Sequence, residues 1–183
     1  MKVILASASP RRRQILETAG FEVEVRVSDA DETLPDGIMP DKAVEHLASV
    51  KATAVERAAD ELVIAADTVV VLDGAILGKP QTEKQARQML LSLSGRKHLV
   101  YTGVCVLKGE RCEIFHDRTV VEFYPLTENE IDEYIKTGEP MDKAGAYGIQ
   151  GRGCVFVKGI EGDFFNVMGL PVAQIIQKMK YFS

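Results

Sequence analysis

The stretch Val3-Ile4-Leu5-Ala6-Ser7-Ala8-Ser9-Pro10-Arg11-Arg12-Arg13 reads as a strand that passes through a hydroxyl-rich turn into a helix. Successive apolar residues mark a strand of the buried type. Ser9 is a residue that caps helices, and Pro10 suits the first helical position. A helix N-terminus carries unpaired N–H groups and a partial positive charge, and three guanidinium groups add full charges here. Cations at that end oppose the helix dipole, so their presence needs a reason. Two readings stay open at this point: a site for phosphate or polyphosphate, or a capped helix with a solvated basic first turn.

Outward from this stretch, the pattern predicts a helix over 11–19 with Ile15, Leu16 and Ala19 inward and Gly20 as its stop. Residues 22–27 alternate as a strand. They lead to the acidic cluster Asp29-Ala30-Asp31-Glu32 and a Pro/Gly loop. A long helix from Pro40 to about Ala59 carries its apolar stripe at Val44, Leu47, Ala48, Lys51, Val55 and Ala58. Lys51 is out of place on that stripe. Either it snorkels to the surface or it meets an anion. The apolar run Leu62–Ala66 reads as a central strand that breaks at Asp67-Thr68, then resumes over 69–72 to a turn at Asp73-Gly74. Asp67 is thus either a turn residue bonding nearby N–H groups or a carboxylate at a sheet edge.

Gly78-Lys79-Pro80 is a tight loop with a further cation. Thr82 and Gln85 form a capping-box signature for a helix to about Leu93, which Ser94-Gly95-Arg96 ends. Two β-rich runs, 98–107 and 112–124, make a hairpin around Gly109. Thr127 and Glu130 open another helix that stops at Gly138, and Pro171 opens the last, to about Lys180. Eight of the fifteen glycines lie between Gly138 and Gly169, most densely in Asp142-Lys143-Ala144-Gly145-Ala146-Tyr147-Gly148-Ile149-Gln150-Gly151. Such spacing permits positive φ and close approach of backbone to a ligand, although loops are glycine-rich in general. The Gln150 amide offers a paired donor and acceptor that can read a base edge.

At 183 residues, with 46% hydrophobic and 27% charged residues, the chain suits a single domain over 1–183 with a real core. A net charge of −5 argues against a general nucleic-acid binder. A basic site must then be local, which suits a small anionic substrate. Cys105, Cys112 and Cys154 form no C-x-x-C pair and point to a reducing compartment. The first apolar run is too short for a signal peptide, and no stretch approaches membrane-spanning length, so a cytoplasmic protein with no membrane partner is expected. G-x-x-x-x-G-K-[ST], a strand-to-helix G-x-G-x-x-G, G-x-S-x-G and paired histidines are all absent from the sequence. What remains is a set of cations (Arg11, Arg12, Lys51, Lys79) that can neutralise a polyphosphate, with carboxylates (Glu32, Asp67) that can hold a divalent metal or activate a water.

The ordered set Ser7-Ala8-Ser9-Pro10-Arg11-Arg12, Asp31-Glu32, Ala66-Asp67-Thr68, Gly78-Lys79-Pro80, Ser94-Gly95-Arg96, Tyr101-Thr102-Gly103 and Asp142–Gly151 resembles the Maf family of nucleoside triphosphate pyrophosphatases, once described as septum-formation inhibitors. The resemblance runs from Leu5 to Pro171. It implies an elongated mixed-sheet α/β fold with two lobes flanking a central cleft, like the inosine triphosphate pyrophosphatase superfamily. It implies a hydrolase that cuts between the α and β phosphates of its nucleoside triphosphate substrate. By position, Asp67 matches the general base. Arg11, Thr68 and Gln150 match residues associated with substrate choice. Ser7, Arg12, Glu32, Lys51 and Lys79 match cleft positions that hold phosphate or metal, so Glu32 and Asp67 are the expected ligands of Mg2+ or Mn2+. The Asp142–Gly151 run looks like the branch acting on dTTP and UTP, and a homodimer is expected by the same resemblance. Whether Asp67 is base, metal ligand or both stays open. So does an alternative class, a nucleotide-binding regulator of cell division without turnover. A general phosphatase would release orthophosphate instead of pyrophosphate.

Overall fold

The computed structural model describes residues 1–27, 29–35 and 37–182. Ser28, Asp36 and Ser183, and with them the centre of the expected Pro/Gly loop, lie outside the described residues. The elements in chain order are β1 (Lys2–Leu5), α1 (Pro10–Thr18), β2 (Glu22–Val25), α2 (Pro40–Ala54), β3 (Val63–Leu72), β4 (Ala75–Leu77), α3 (Glu83–Leu93), β5 (Lys97–Lys108), β6 (Arg111–Phe123), α4 (Glu128–Ile135), β7 (Val157–Glu161), α5 (Phe164–Met168) and α6 (Val172–Met179). The class is mixed α/β. One sheet has the order β2-β1-β3-β5-β6-β7, with β4 beside β3. The chain divides into two compact units: residues 1–68, 102–117 and 169–183, and residues 69–101 and 118–168.

In the first unit β1 lies between two parallel partners. Lys2–Leu5 pairs with Glu22–Val25 on one side, and Ile4 and Leu5 pair with Val63 and Ile64 on the other. Val3, Ile4 and Leu5 are consecutive and all buried, so both faces of this parallel strand are covered as well as its edges. Ser9 and Pro10 open α1 as the sequence requires, and Ile15 and Leu16 are its buried face. Ala19, expected to point inward, is instead the exposed residue that ends the helix. Helix α2 packs Ala48 and Ala52 into a cluster with Ile4, Ala6, Val63, Ala65, Cys105 and Leu107. Its approach to β5 is so close that a Cβ on Gly103 would lie 2.2 Å from the Val44 carbonyl carbon, so only glycine fits there. Cys105 and Cys112 are free thiols with their Sγ atoms 3.6 Å apart, and burial raises the Cys105 thiol well above its ordinary range.

Two further expectations fail in this unit. Helix α2 stops at Ala54, not near Ala59, because Val55 turns extended (φ −81°, ψ 131°) and joins the core from outside the helix, while Ala58 is exposed. Strand β3 does not break at Asp67-Thr68. It runs unbroken for ten residues with these two half-buried between buried quartets. Both polar side chains have partners on neighbouring elements, so the strand can carry them.

The second unit has its own core. Leu90 and Leu93 of α3, Ile131 and Tyr134 of α4, and Phe123, Tyr147 and Phe156 pack together. Thr127 and Glu130 form the full capping box of α4. Thr82 caps α3, but the Gln85 side chain accepts from the Gln81 N–H, so only half of that expected box forms. Short 3-10 turns over Glu139–Asp142, Ala144–Ala146 and Arg152–Phe156, strand β7 and helix α5 carry no strong period in the sequence and were not anticipated. Among the described residues no helix is long and apolar enough to cross a membrane.

Candidate functional site

Neighbouring residues on a strand point to opposite faces. Asp67 and Thr68 of β3 therefore meet different elements. Asp67 Oδ1 accepts from the Lys51 Nζ of α2 at 2.6 Å. Thr68 Oγ1 accepts from Arg12 Nη2 of α1 at 3.1 Å and lies 2.9 Å from the buried Thr102 Oγ1 of β5.

Arg12 is fixed along its whole guanidinium edge. Its Nε donates to the Gly169 carbonyl at 2.8 Å and its Nη1 to Ser7 Oγ at 3.0 Å. Desolvation pulls its pKa below the usual arginine range, with Asp67 opposing that shift and Arg11 adding to it. The group stays charged all the same. Ser7 Oγ also accepts the Ser9 N–H at 3.3 Å. Gly169 sits at φ +110°, and a Cβ there would crowd Thr68 Oγ1 at 3.3 Å. The three arginines thus separate. Arg12 is built into the fold and Arg11 is half-buried, while Arg13 pairs with Glu17 at 2.7 Å on the exposed face.

Lys51 does not snorkel to solvent. Its side chain is 17% exposed and its Nζ lies between Asp67 Oδ1 and Glu32 Oε2, the latter at 3.1 Å. Glu32, 52% exposed, comes from the irregular segment after β2, whose turn is held by Asp31 accepting from Thr33. Asp67 Oδ2 accepts no hydrogen bond from a side chain among the described residues, which leaves one carboxylate oxygen able to accept a proton or a metal ion. Among the described residues no group of three or more His, Cys, Asp or Glu gathers as a metal cage. The two carboxylates that share the Lys51 ammonium are oxygen donors of the kind hard divalent cations prefer. Ser7, Arg12, Glu32, Lys51, Asp67 and Thr68 all belong to the first unit.

Lys79 and Gln150 belong to the second unit. Lys79 is exposed in the loop after β4 and forms no ion pair among the described residues. Gln150 is exposed in the glycine-rich loop, next to the buried Ile149. That loop is organised around Glu139, which the sequence reading missed. Glu139 Oε1 accepts the Tyr134 hydroxyl at 2.9 Å and the Gly153 N–H at 3.3 Å, and Oε2 accepts the Arg152 N–H at 2.8 Å. Partial burial pushes this carboxyl up, but the three donors outweigh it and hold it below its ordinary range. The available signal was an acid placed directly after the helix-ending Gly138. Thr102 and Gly169 were likewise missed as partners, since a buried hydroxyl and a carbonyl leave no pattern in the sequence.

The family model described as Maf-like protein matches residues 2–182. The chain belongs to the Maf family. A relative from Bacillus cereus (strain G9842), named dTTP/UTP pyrophosphatase, is 48% identical over 183 residues, covering 100% of this chain and 96% of that protein. A relative of the same name from Bacillus thuringiensis subsp. konkukian (strain 97-27) is 47% identical with the same coverage. Among solved structures, a HAM1 protein from Coxiella burnetii aligns with a TM-score of 0.50 at 14% identity, over 97% of this chain and 99% of that one. At that identity the likeness concerns the fold alone. Of the segments that carried the sequence resemblance, Ser7–Arg12, Asp31-Glu32, Ala66–Thr68 and the Thr102 position supply partners in the Arg12 and Lys51 clusters, while Gly78–Pro80, Ser94–Arg96 and Asp142–Gly151 belong to the second unit.

Proposed function

We propose that this chain hydrolyses nucleoside triphosphates, dTTP and UTP foremost, to a nucleoside monophosphate and pyrophosphate. The observation that carries the reading is the placement of Lys51 between Asp67 and Glu32, beside an arginine locked on Ser7, Thr68 and Gly169. A half-buried lysine between two acids holds cation and carboxylates in place before a charged substrate arrives. The names of the full-length relatives support the activity and the pyrimidine preference.

In this reading a water attacks the α-phosphorus in line, Asp67 takes its proton, and pyrophosphate leaves. Arg12, with Ser7 behind it, and Lys51 offset the charge that grows on the leaving group, and Lys79 adds to them. Arg12 needs little reorganisation, because its hydrogen bonds to the fold already orient it. Glu32 and Asp67 would hold a divalent ion, Mg2+ or Mn2+, which when bound neutralises phosphate charge as a Lewis acid. Arg11 and Thr68 bear on substrate choice, and Gln150 pairs its amide with the uracil or thymine edge. The assignments of Lys79, Arg11 and Gln150 rest on the motif match. A cytoplasmic homodimer completes the proposal, and the mass in solution tests the dimer.

The test is incubation with magnesium and a panel of nucleoside triphosphates, with the products identified. Monophosphate and pyrophosphate in equal amounts, strongest from dTTP or UTP and lost on chelation, is the expected result. Orthophosphate as first product would make the protein a general phosphatase. Binding without turnover would make it a nucleotide-responsive regulator.

A further inference from the structure

The glycine-rich loop is pinned on both sides of Gln150 by one pair of side chains. Before it, the Gly148 N–H donates to the Tyr134 hydroxyl at 3.1 Å. After it, the Arg152 and Gly153 N–H groups donate to Glu139, which also receives the Tyr134 hydroxyl. Between the pins Ile149 is buried, so Gln150 can move little along the chain. The glycines press directly on this pair. A Cβ on Gly151 would lie 2.3 Å from Glu139 Oε1, and one on Gly153 would lie 2.9 Å from the Tyr134 oxygen. Lys143 closes the base of the loop, donating to the Glu139 carbonyl at 2.8 Å and to Asp142 at 2.6 Å. A surface loop that only joined two elements would leave these N–H groups to water. Here a half-buried carboxylate and a phenol are spent on them instead.

We propose that Glu139, acting with Tyr134, is a positioning residue for base selectivity: it fixes the backbone on both sides of Gln150 and so sets where the Gln150 amide meets the nucleobase. The inference rests on the proposed base-reading role of Gln150. Both Glu139 oxygens accept hydrogen bonds, so Glu139→Gln puts an NH2 group against donors and loosens the loop without changing the size of the side chain. A loosened loop weakens the base contact and leaves the phosphates alone.

The test compares wild type, Glu139→Gln, Gln150→Ala and the double variant. It uses UTP and a purine triphosphate as substrates and inorganic tripolyphosphate, which has no base, as competitive inhibitor. For Glu139→Gln the expected result is a rise of about tenfold in KM for UTP, the scale of one lost hydrogen bond. The Ki of tripolyphosphate should stay within about twofold, kcat should fall less than KM rises, and the pyrimidine-to-purine ratio should drop. Added to Gln150→Ala, the same change should do almost nothing more. Equal losses on UTP, purine and tripolyphosphate, or full additivity with Gln150→Ala, would overturn the inference. If Gln150→Ala shifts the ratio and Glu139→Gln does not, base reading stands and positioning falls. If Gln150→Ala leaves the ratio alone while Glu139→Gln alters it, the base-reading role of Gln150 falls, and positioning through Gln150 falls with it. Should Glu139→Gln fail to fold, Tyr134→Phe removes only one hydroxyl from the pair and is expected to move the same ratio in the same direction by a smaller factor.

Discussion

The two units hold their candidate site side chains by opposite means. In the first, Arg12, Lys51 and Asp67 stand on α1, α2 and β3, and side chains hold one another. In the second, Gln150 stands on a loop of short turns, and a carboxylate and a phenol hold the backbone. Regular elements tolerate a lost partner, because their own hydrogen bonds keep the chain in place. A loop without them depends on each external pin. Substitutions in the first unit should therefore separate chemistry from stability, except where an element touches another through bare backbone.

The largest effect is expected at such an exception. A Cβ on Gly103 would sit 2.2 Å from the Val44 carbonyl and 2.6 Å from the Glu45 nitrogen, atoms that no rotamer change can move. Gly103→Ala should displace α2 from β5, carrying Lys51 with it, and cost about 3 kcal/mol or more. Urea unfolding measures it, and a loss below 1 kcal/mol would mean that α2 rides freely on the sheet.

Asp67→Asn comes next and tests the other half of the comparison. It should lower kcat about a hundredfold for every nucleotide alike, the usual scale of acid–base catalysis. Gln150→Ala should instead lower turnover unequally across bases. Pyrophosphate release over the nucleotide panel reads both. Near-normal turnover in Asp67→Asn would remove it as the base, and equal losses in Gln150→Ala would remove the reading role.

The division also marks how far the sequence could be read. The first unit was legible because its pattern is local: four apolar residues, a cap, a proline, and a lysine on an apolar stripe each state their own environment. Lys51 is the clearest case, since its cost on that stripe is met by Asp67 and Glu32. The supposed break at Asp67-Thr68 was misread because partners that let a polar pair sit inside a strand are remote in sequence; Arg12 is 56 residues from Thr68. The glycine-rich loop was legible as a segment of close backbone approach but not in its cause. Its glycines make room for Glu139 and Lys143, and no periodicity encodes a carboxylate that binds backbone.

A third effect belongs to the second unit. His98 is buried, stacked edge-on against Phe123 and Tyr147, with Nε2 2.8 Å from the Tyr147 hydroxyl. Burial lowers its pKa from 6.5 to about 4. Above pH 6.5 the folded and unfolded chains are both neutral at this residue, and it has no pH effect. As pH falls below 6.5 the unfolded chain takes up a proton that the folded chain refuses until about pH 4. Stability is therefore lost across that window, by about 2–3 kcal/mol at its acid end. His98→Gln keeps a group that can bond Tyr147 and does not titrate. Its unfolding free energy should fall less between pH 7 and pH 4.5 than that of the wild type, and parallel slopes would rule His98 out as the source.

The smallest effect is the sharpest test of how the first unit uses its arginines. Arg12 and Arg13 are adjacent in sequence and equal in charge, so a site built from net positive charge at a helix N-terminus would need both. The geometry separates them: Arg12 spends its guanidinium on Gly169, Ser7 and Thr68, and Arg13 spends its own on Glu17 one turn along an exposed face. An exposed i,i+4 pair contributes about 0.3–0.5 kcal/mol and is screened by salt. Arg13→Ala should therefore change stability by less than about 0.5 kcal/mol and leave kcat/KM for UTP within about twofold, at low salt and high salt alike. A tenfold fall in kcat/KM that fades as salt rises would mean that the phosphates feel the charge of the whole first turn, and that the fixed hydrogen bonds of Arg12 are not what distinguishes it.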